Sequence, residues 1–257
     1  MDYILSAALA FSLLSSDLPA QSNSPRTLAI DASTAPAATR LLVPVLVSNL
    51  PGAMGSVWQT DMWITNVSSQ PIVYGINPCN QACCCAEINT IGPQSTKRYA
   101  ENRPQGRYFG AADSIQLEVR LRDLARNASS AGVNLPVVRE DEFRADELSL
   151  IAVPRDPRFR VLVRFYMLDK ALPLSVEQID ASGKVLQSDQ VQLNPPAGEL
   201  AYLAPSYGQL SLDPGTQEAA EPVRIRVKAI YPSTYFWVFA SVTNNDTSEV
   251  TLILPQR

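Results

Sequence analysis

Four cysteines fall within residues 79–85, at Cys79, Cys83, Cys84 and Cys85. Thiols this close support three kinds of chemistry: disulfide bonding, redox exchange by free thiolates, and capture of a soft metal such as Cu(I) or Zn. Neighbouring cysteines bond one another only with strain, so the spacing predicts a bridge from Cys79 to one of the other three. The two left over would pair awkwardly or with another chain. A closed loop this small removes little unfolded-state entropy, so it would stiffen a loop more than stabilise a fold. Metal binding is the weaker expectation. The run lacks two separated Cys-x-x-Cys knuckles, and the chain has no His in 257 residues. Disulfides are expected here, and neither a metal nor a cofactor.

The absence of His also removes Ser-His-Asp and Cys-His catalysis. No Gly-x-Ser-x-Gly, phosphate-binding or dinucleotide-binding glycine motif is present. The carboxylates are dispersed. Asp61, between Trp58 and Trp63, is the one acid in an unusual place; a glycosidase role would need a distant partner, and a structural hydrogen bond to a neighbouring loop is expected instead. No catalytic residue is assigned, and the chain is read as a non-enzyme.

Binding chemistry has more to work with. Arg120, Arg122, Arg164, Arg224, Arg226 and Lys228 fall at outward positions of strand-like segments. Were those strands neighbours in one sheet, they would form a basic stripe able to hold an acidic polysaccharide or a phosphate-bearing wall polymer. The plainer expectation is a solvated sheet face that discourages edge pairing. Tyr202, Tyr207, Tyr231 and Tyr235 lie beside Pro-Ser loops and are candidate platforms for sugar rings, whereas Trp58, Trp63 and Trp237 are assigned to the core. The acids Glu140, Asp141, Glu142, Asp146 and Glu147 lack the Asp-x-Asp-x-Asp-Gly order of a calcium loop and read as an exposed loop.

These residues sit on elements with a period of two. Residues 114–122 place Ile115, Leu117, Val119 and Leu121 on one face and Gln116, Glu118, Arg120 and Arg122 on the other. Residues 223–228 repeat the scheme. Segments 160–168 (RVLVRFYML) and 235–243 (YFWVFASVT) are apolar or bulky in both registers, which predicts strands covered on both faces. Residues 41–47 alternate as well, but Pro44 cannot donate to a ladder and points to an edge strand. Residues 180–183 (DASG) predict a tight hairpin turn. Only residues 123–128 hint at helix outside the N-terminal run. Many short strands between Pro and Gly turns predict an all-β fold of antiparallel β-sandwiches.

Residues 63–73 (WITNVSSQPIV) align without gaps to residues 241–251 (SVTNNDTSEVT), suggesting one hairpin used twice, with Asn66 and Asn244 ending a strand by bonding the turn. The run VWQTDMWITN at residues 57–66, together with WVFASVTNNDTSEVTLILPQ at residues 237–256, resembles uncharacterised modules of secreted bacterial proteins. Those modules carry a Trp-x-Thr-Asp-x-Trp-x-x-Asn strand and end in a Thr-Asn turn. The resemblance implies immunoglobulin-like sandwiches and an exported context, and it brings no catalytic residues.

Residues 4–14 (ILSAALAFSLL) are too short to cross a hydrocarbon core of about 30 Å. They fit a secretory signal cleaved before Gln21, although Asp2 stands where a signal carries Lys or Arg. The expected organisation is a signal peptide over residues 1–20, a flexible spacer over 21–40, and two immunoglobulin-like domains over 41–155 and 156–257. A net charge of -4 gives no general attraction to nucleic acid, and no stable membrane insertion is expected after signal cleavage. The expected function is a non-catalytic interaction or spacer module at the cell envelope, secreted or periplasmic, with a protein or polysaccharide partner. The alternative is a carbohydrate-binding module using the Tyr platforms and a basic sheet face.

Overall fold

Alternating side chains form sheets only when one register finds a common core, and here they find two. The computed structural model describes residues 39–76, 87–102, 106–111, 113–126, 128–168, 170–196, 204–213 and 221–256. The segment expected to be a signal, most of the expected spacer, all four cysteines and Tyr202 lie outside the described residues. The chain is all-β in character, built from antiparallel sheets. No described helix is long and apolar enough to cross a membrane.

The first ten strands are β1 (Thr39–Val43), β2 (Leu50–Pro51), β3 (Val57–Asn66), β4 (Ile72–Ile76), β5 (Glu87–Ile91), β6 (Ser95–Tyr99), β7 (Arg107–Ala111), β8 (Ile115–Asp123), β9 (Val133–Asn134) and β10 (Val138–Arg139). They make one sheet in the order β10-β1-β7-β4-β5 and a second in the order β2-β3-β8-β9, with β6 also on β3. Leu42, Met62, Ile64, Tyr74, Tyr108, Phe109, Ile115 and Val119 from both sheets share one core.

Eight further strands follow: β11 (Glu147–Val153), β12 (Phe159–Met167), β13 (Pro173–Ile179), β14 (Val185–Gln192), β15 (Ser206–Leu212), β16 (Val223–Ala229), β17 (Phe236–Asn244) and β18 (Val250–Ile253). The orders are β11-β16-β13-β14 and β15-β12-β17-β18. Leu150, Val163, Phe165, Val176, Ile225, Phe236 and Val238 fill the core between these two sheets.

Strands β12 and β17 are covered on both faces, as their sequences predict. Val161, Val163, Phe165 and Met167 enter the second core, as do Phe236, Val238 and Ala240. The opposite register, Tyr166, Trp237 and Phe239, belongs to the first core. The Tyr166 and Phe239 rings stack at 6.3 Å, and the Tyr166 hydroxyl, fully buried, donates to Pro44 O across 2.7 Å. Burial pushes the Tyr166 phenol far above its ordinary pKa, so it stays a donor to that carbonyl.

Several expectations need correction. Strand β1 ends at Val43, before Pro44, and lies between β7 and β10, so it is not an edge strand. It also begins at Thr39, within the expected spacer. The boundary expected at 155/156 falls after β11, whereas β11 pairs with β16; the change between sheet pairs comes between β10 and β11. Residues 124–126 form a turn, not a helix, because Asp123 Oδ1 accepts the N–H groups of Ala125 and Arg126. The two Asn segments are not one hairpin used twice. Strands β17 and β18 pair directly, but β3 and β4 belong to different sheets, so the Asn66 turn is a crossover between sheets.

The hairpin between β13 and β14 forms as expected. Asp180 Oδ1 accepts from Ser182 N, Ser182 Oγ and Lys184 N, and Gly183 adopts a φ of 87°. Those bonds, the Ser182 hydroxyl first, hold the Asp180 carboxyl below its ordinary pKa. Strand β14 is an edge strand. Its Asp189 and Gln187 stand opposite the buried Val176 and Gln178, so a charge points inward where another chain would have to dock.

Candidate functional site

Strand β3 positions the site because its register divides the Trp-x-Thr-Asp-x-Trp-x-x-Asn run by face. Thr60, Met62, Ile64 and Asn66 are buried inward. Each polar member of that set closes a local account of hydrogen bonds. Thr60 Oγ1 accepts from Val47 N at 3.1 Å and donates to Val45 O at 3.3 Å, fastening the segment after Pro44 to β3. Asn66 Oδ1 accepts from Ser68 N, and Asn66 Nδ2 donates to Gln70 O and Gly92 O.

Asp61 and Trp63 take the opposite face. Across the ladder Asp61 is opposite Arg120 and Trp63 is opposite both Glu118 and Arg98, which brings β6, β3 and β8 together around them. The Asp61 side chain is only 4% exposed. Its Oδ1 accepts from Arg98 Nη2, and its Oδ2 meets Arg122 Nη2 at 2.5 Å. Arg120 lies 6.0 Å from the Trp63 ring centre and gives Nε, at 2.8 Å, and Nη2 to Glu118.

Asp61, Trp63, Arg98, Arg120, Arg122 and Ala131 together line an open depression of about 390 Å³. Three guanidinium groups face two carboxylates, Asp61 and Glu118, leaving a local excess of one positive charge. Arg122 Nε is buried with no hydrogen-bond partner among the described residues. Gly132, at a φ of 83°, lets the chain before β9 close onto Arg122; a Cβ there would stand 2.5 Å from Arg122 Cγ and 2.5 Å from Leu121 O.

The basic stripe does not form. Arg120 and Arg122 are on β8, Arg164 on β12, and Arg224, Arg226 and Lys228 on β16, in three different sheets. Arg226 Nε donates to Glu177 at 2.6 Å, and Lys228 pairs with Glu147 at 3.5 Å. Arg224 is exposed. Part of the acidic run is paired: Glu140 holds Arg40 at 2.6 Å, and Glu142 accepts the Arg139 N–H at 2.9 Å, while Asp146 is exposed.

Among the tyrosines, Tyr207 is half-buried, accepts from Arg164 Nη1 at 3.0 Å and donates to Gln209, an arrangement that anchors the ring within the fold. Burial raises its pKa, against the pull of Arg164. Tyr231 and Tyr235 are 50% and 52% exposed between β16 and β17. Trp237 is a core residue as expected, and Trp58 packs partly buried against the first core. Trp63 is not a core residue; it is half-buried on the outer face.

Sequence reasoning passed over Arg98 and gave Asp61 a loop partner, where its partners are arginines on both flanking strands. The signal was in the alternation: once Met62 and Ile64 turn inward, Asp61 and Trp63 must share the outer face. No family model, no curated protein and no solved structure matches the chain.

Proposed function

We propose that this chain is a non-catalytic interaction module whose contact surface is the outer face of β6, β3 and β8. The observation that carries it is a half-exposed Trp63 at the middle of a strand, lining one depression with Arg98, Arg120 and Arg122 and sharing its face with a buried acid. Two of those arginines are fixed by Asp61, so part of their ordering entropy is spent on folding, before any partner arrives. An aromatic ring beside pre-positioned guanidinium forks suits a ligand with an apolar face and anionic groups. Asp61, occupied by two arginines, acts here as a positioning group and not as an acid catalyst.

In this proposal the chain is exported and acts at a cell envelope, as the apolar segment 4–14 and the resemblance of residues 57–66 suggest. The two pairs of sheets would be two immunoglobulin-like sandwiches. A second contact surface, favoured by the exposure of Tyr231 and Tyr235, would lie at the β16–β17 connection.

A glycan and protein array probed with the full chain, its Trp63→Ala variant and its Tyr231→Ala/Tyr235→Ala variant tests the assignment. Ligands lost with Trp63 and kept without the two tyrosines support the sheet face. Ligands lost only with the tyrosines move the function to the β16–β17 connection, and a blank array with the parent chain counts against a glycan or protein ligand of useful affinity.

A further inference from the structure

Resting on the contact role proposed for this face, we infer that its ligand is an acidic polysaccharide whose hexuronate carboxylates are taken by the arginines while a sugar face lies against Trp63. Three observations converge on it. First, the depression is open and lies on the sheet face centred on β3, whose own backbone groups are consumed in the β3–β8 and β3–β6 ladders. An extended peptide gains much of its affinity from main-chain bonds to a free strand edge, and on this face such groups lie only at the margin, along β6, not over β3 where Trp63 stands. A sugar chain binds by ring faces and side-chain contacts alone.

Second, the available donors are guanidinium forks. Arg120 commits Nε and Nη2 to Glu118, and its Nη1 has no partner among the described residues. Arg122, its side chain 31% exposed, gives Nη2 to Asp61 and adds its charge to the same face. Arg98 is 60% exposed beyond its bond to Asp61. A planar carboxylate matches such forks in pairs of parallel bonds. Third, the positive excess is small and local in a chain of net charge -4. That balance favours widely spaced single charges, as on a uronan, over the dense charge of a polyphosphate.

Titration calorimetry of the full chain tests this with three probes: a hexagalacturonate, its methyl ester, and polyglutamate of matched charge. The hexagalacturonate should bind, about tenfold or more tighter than its ester, and weaken as salt is raised. Arg120→Ala and Arg120→Lys should both cost about tenfold, since Lys keeps the charge and loses the fork. Trp63→Ala should abolish binding and Trp63→Tyr retain part of it, while Arg224→Ala changes nothing.

Equal binding of acid and ester, still lost in Trp63→Ala, overturns the acidic specificity and leaves the contact face standing. Polyglutamate binding as tight as the sugar, with the same Arg120 dependence, replaces the polysaccharide with an acidic protein. Hexagalacturonate binding untouched by any change at Trp63 or Arg120 overturns both the ligand and the face, and no binding of hexagalacturonate overturns the ligand alone.

Discussion

Two asparagines that look equivalent in sequence should differ sharply in what they contribute to stability. Asn66 is fully buried. Its Oδ1 accepts from Ser68 N and Ser68 Oγ, both at 2.8 Å. Its two Nδ2 hydrogens serve Gln70 O at 2.7 Å, Gly92 O at 2.9 Å and Ile91 O at 3.2 Å. Because Ile91 ends β5, these bonds tie the sheet containing β3 to the sheet opposite. Asn244, its counterpart in the alignment, only accepts the N–H groups of Asp246 and Thr247, at 2.8 and 3.2 Å in an exposed turn. Taking about 0.7 kcal/mol for each bond, Asn66→Ala should cost about 3–4 kcal/mol and Asn244→Ala about 1–1.5. Equilibrium urea unfolding reads the difference directly: with a slope of about 2–3 kcal/mol per molar, the Asn66 midpoint should fall by about 1–2 M and the Asn244 midpoint by about 0.3–0.7 M. Asn66→Asp should be worse than Asn66→Ala, since it turns a carboxylate toward three carbonyl oxygens. Equal midpoints for the two alanine variants, or a milder effect of Asp than of Ala at residue 66, would refute the crossover account.

Other consequences can be checked with the same equipment. Tyr166→Phe removes the buried bond to Pro44 O and should cost about 1–3 kcal/mol in the same unfolding assay, with the ring packing kept. Gly132→Ala, at a φ of 83° with Leu121 O in the way, should cost about 2–4 kcal/mol and weaken ligand binding by shifting Arg122. Burial pushes the Asp123 carboxyl upward, but the N–H groups of Val57, Arg126 and Ala125 outweigh it and hold its pKa below the ordinary range. Its contribution is therefore complete above the ordinary carboxylate pKa and is lost as pH falls through the lowered one, so Asp123→Ala should show a flatter loss of stability below about pH 4 than the parent chain. Asp61→Ala leaves Arg98 and Arg122 repelling each other and should cost about 1–3 kcal/mol, a figure reduced by the exposure of both arginines and expected to shrink in high salt.

Strand composition was legible from residue order wherever a single face decides it. Ile115, Leu117, Val119 and Leu121 turn inward from β8, and the doubled apolar registers of β12 and β17 correctly announce a sheet with a core on each side. What residue order does not carry is which strand lies beside which, because pairing partners are chosen by contacts far apart in the chain. That is why six cationic positions suggested one stripe and occupy three sheets, and why the Asn66 turn passed for a hairpin. Pro44 misled for a different reason: it ends β1 where it was expected to interrupt it, and a strand that stops short of a proline can still lie inside a sheet. Trp63 was assigned by its bulk to a core although its own neighbours, Met62 and Ile64, had already claimed that face.

The sheet that carries Tyr166, Trp237 and Phe239 has a mechanical consequence. Any motion that parts the two sheet pairs must bring those rings into water, at roughly 2 kcal/mol for each ring fully uncovered, and must break the hydroxyl bond to Pro44. The joint between the halves therefore has no slack of the kind a polar linker gives. Tension applied to one half passes to the other as shear across packed aromatic rings, so the two sheet pairs should behave under load as a single stiff element that fails abruptly and does not stretch gradually.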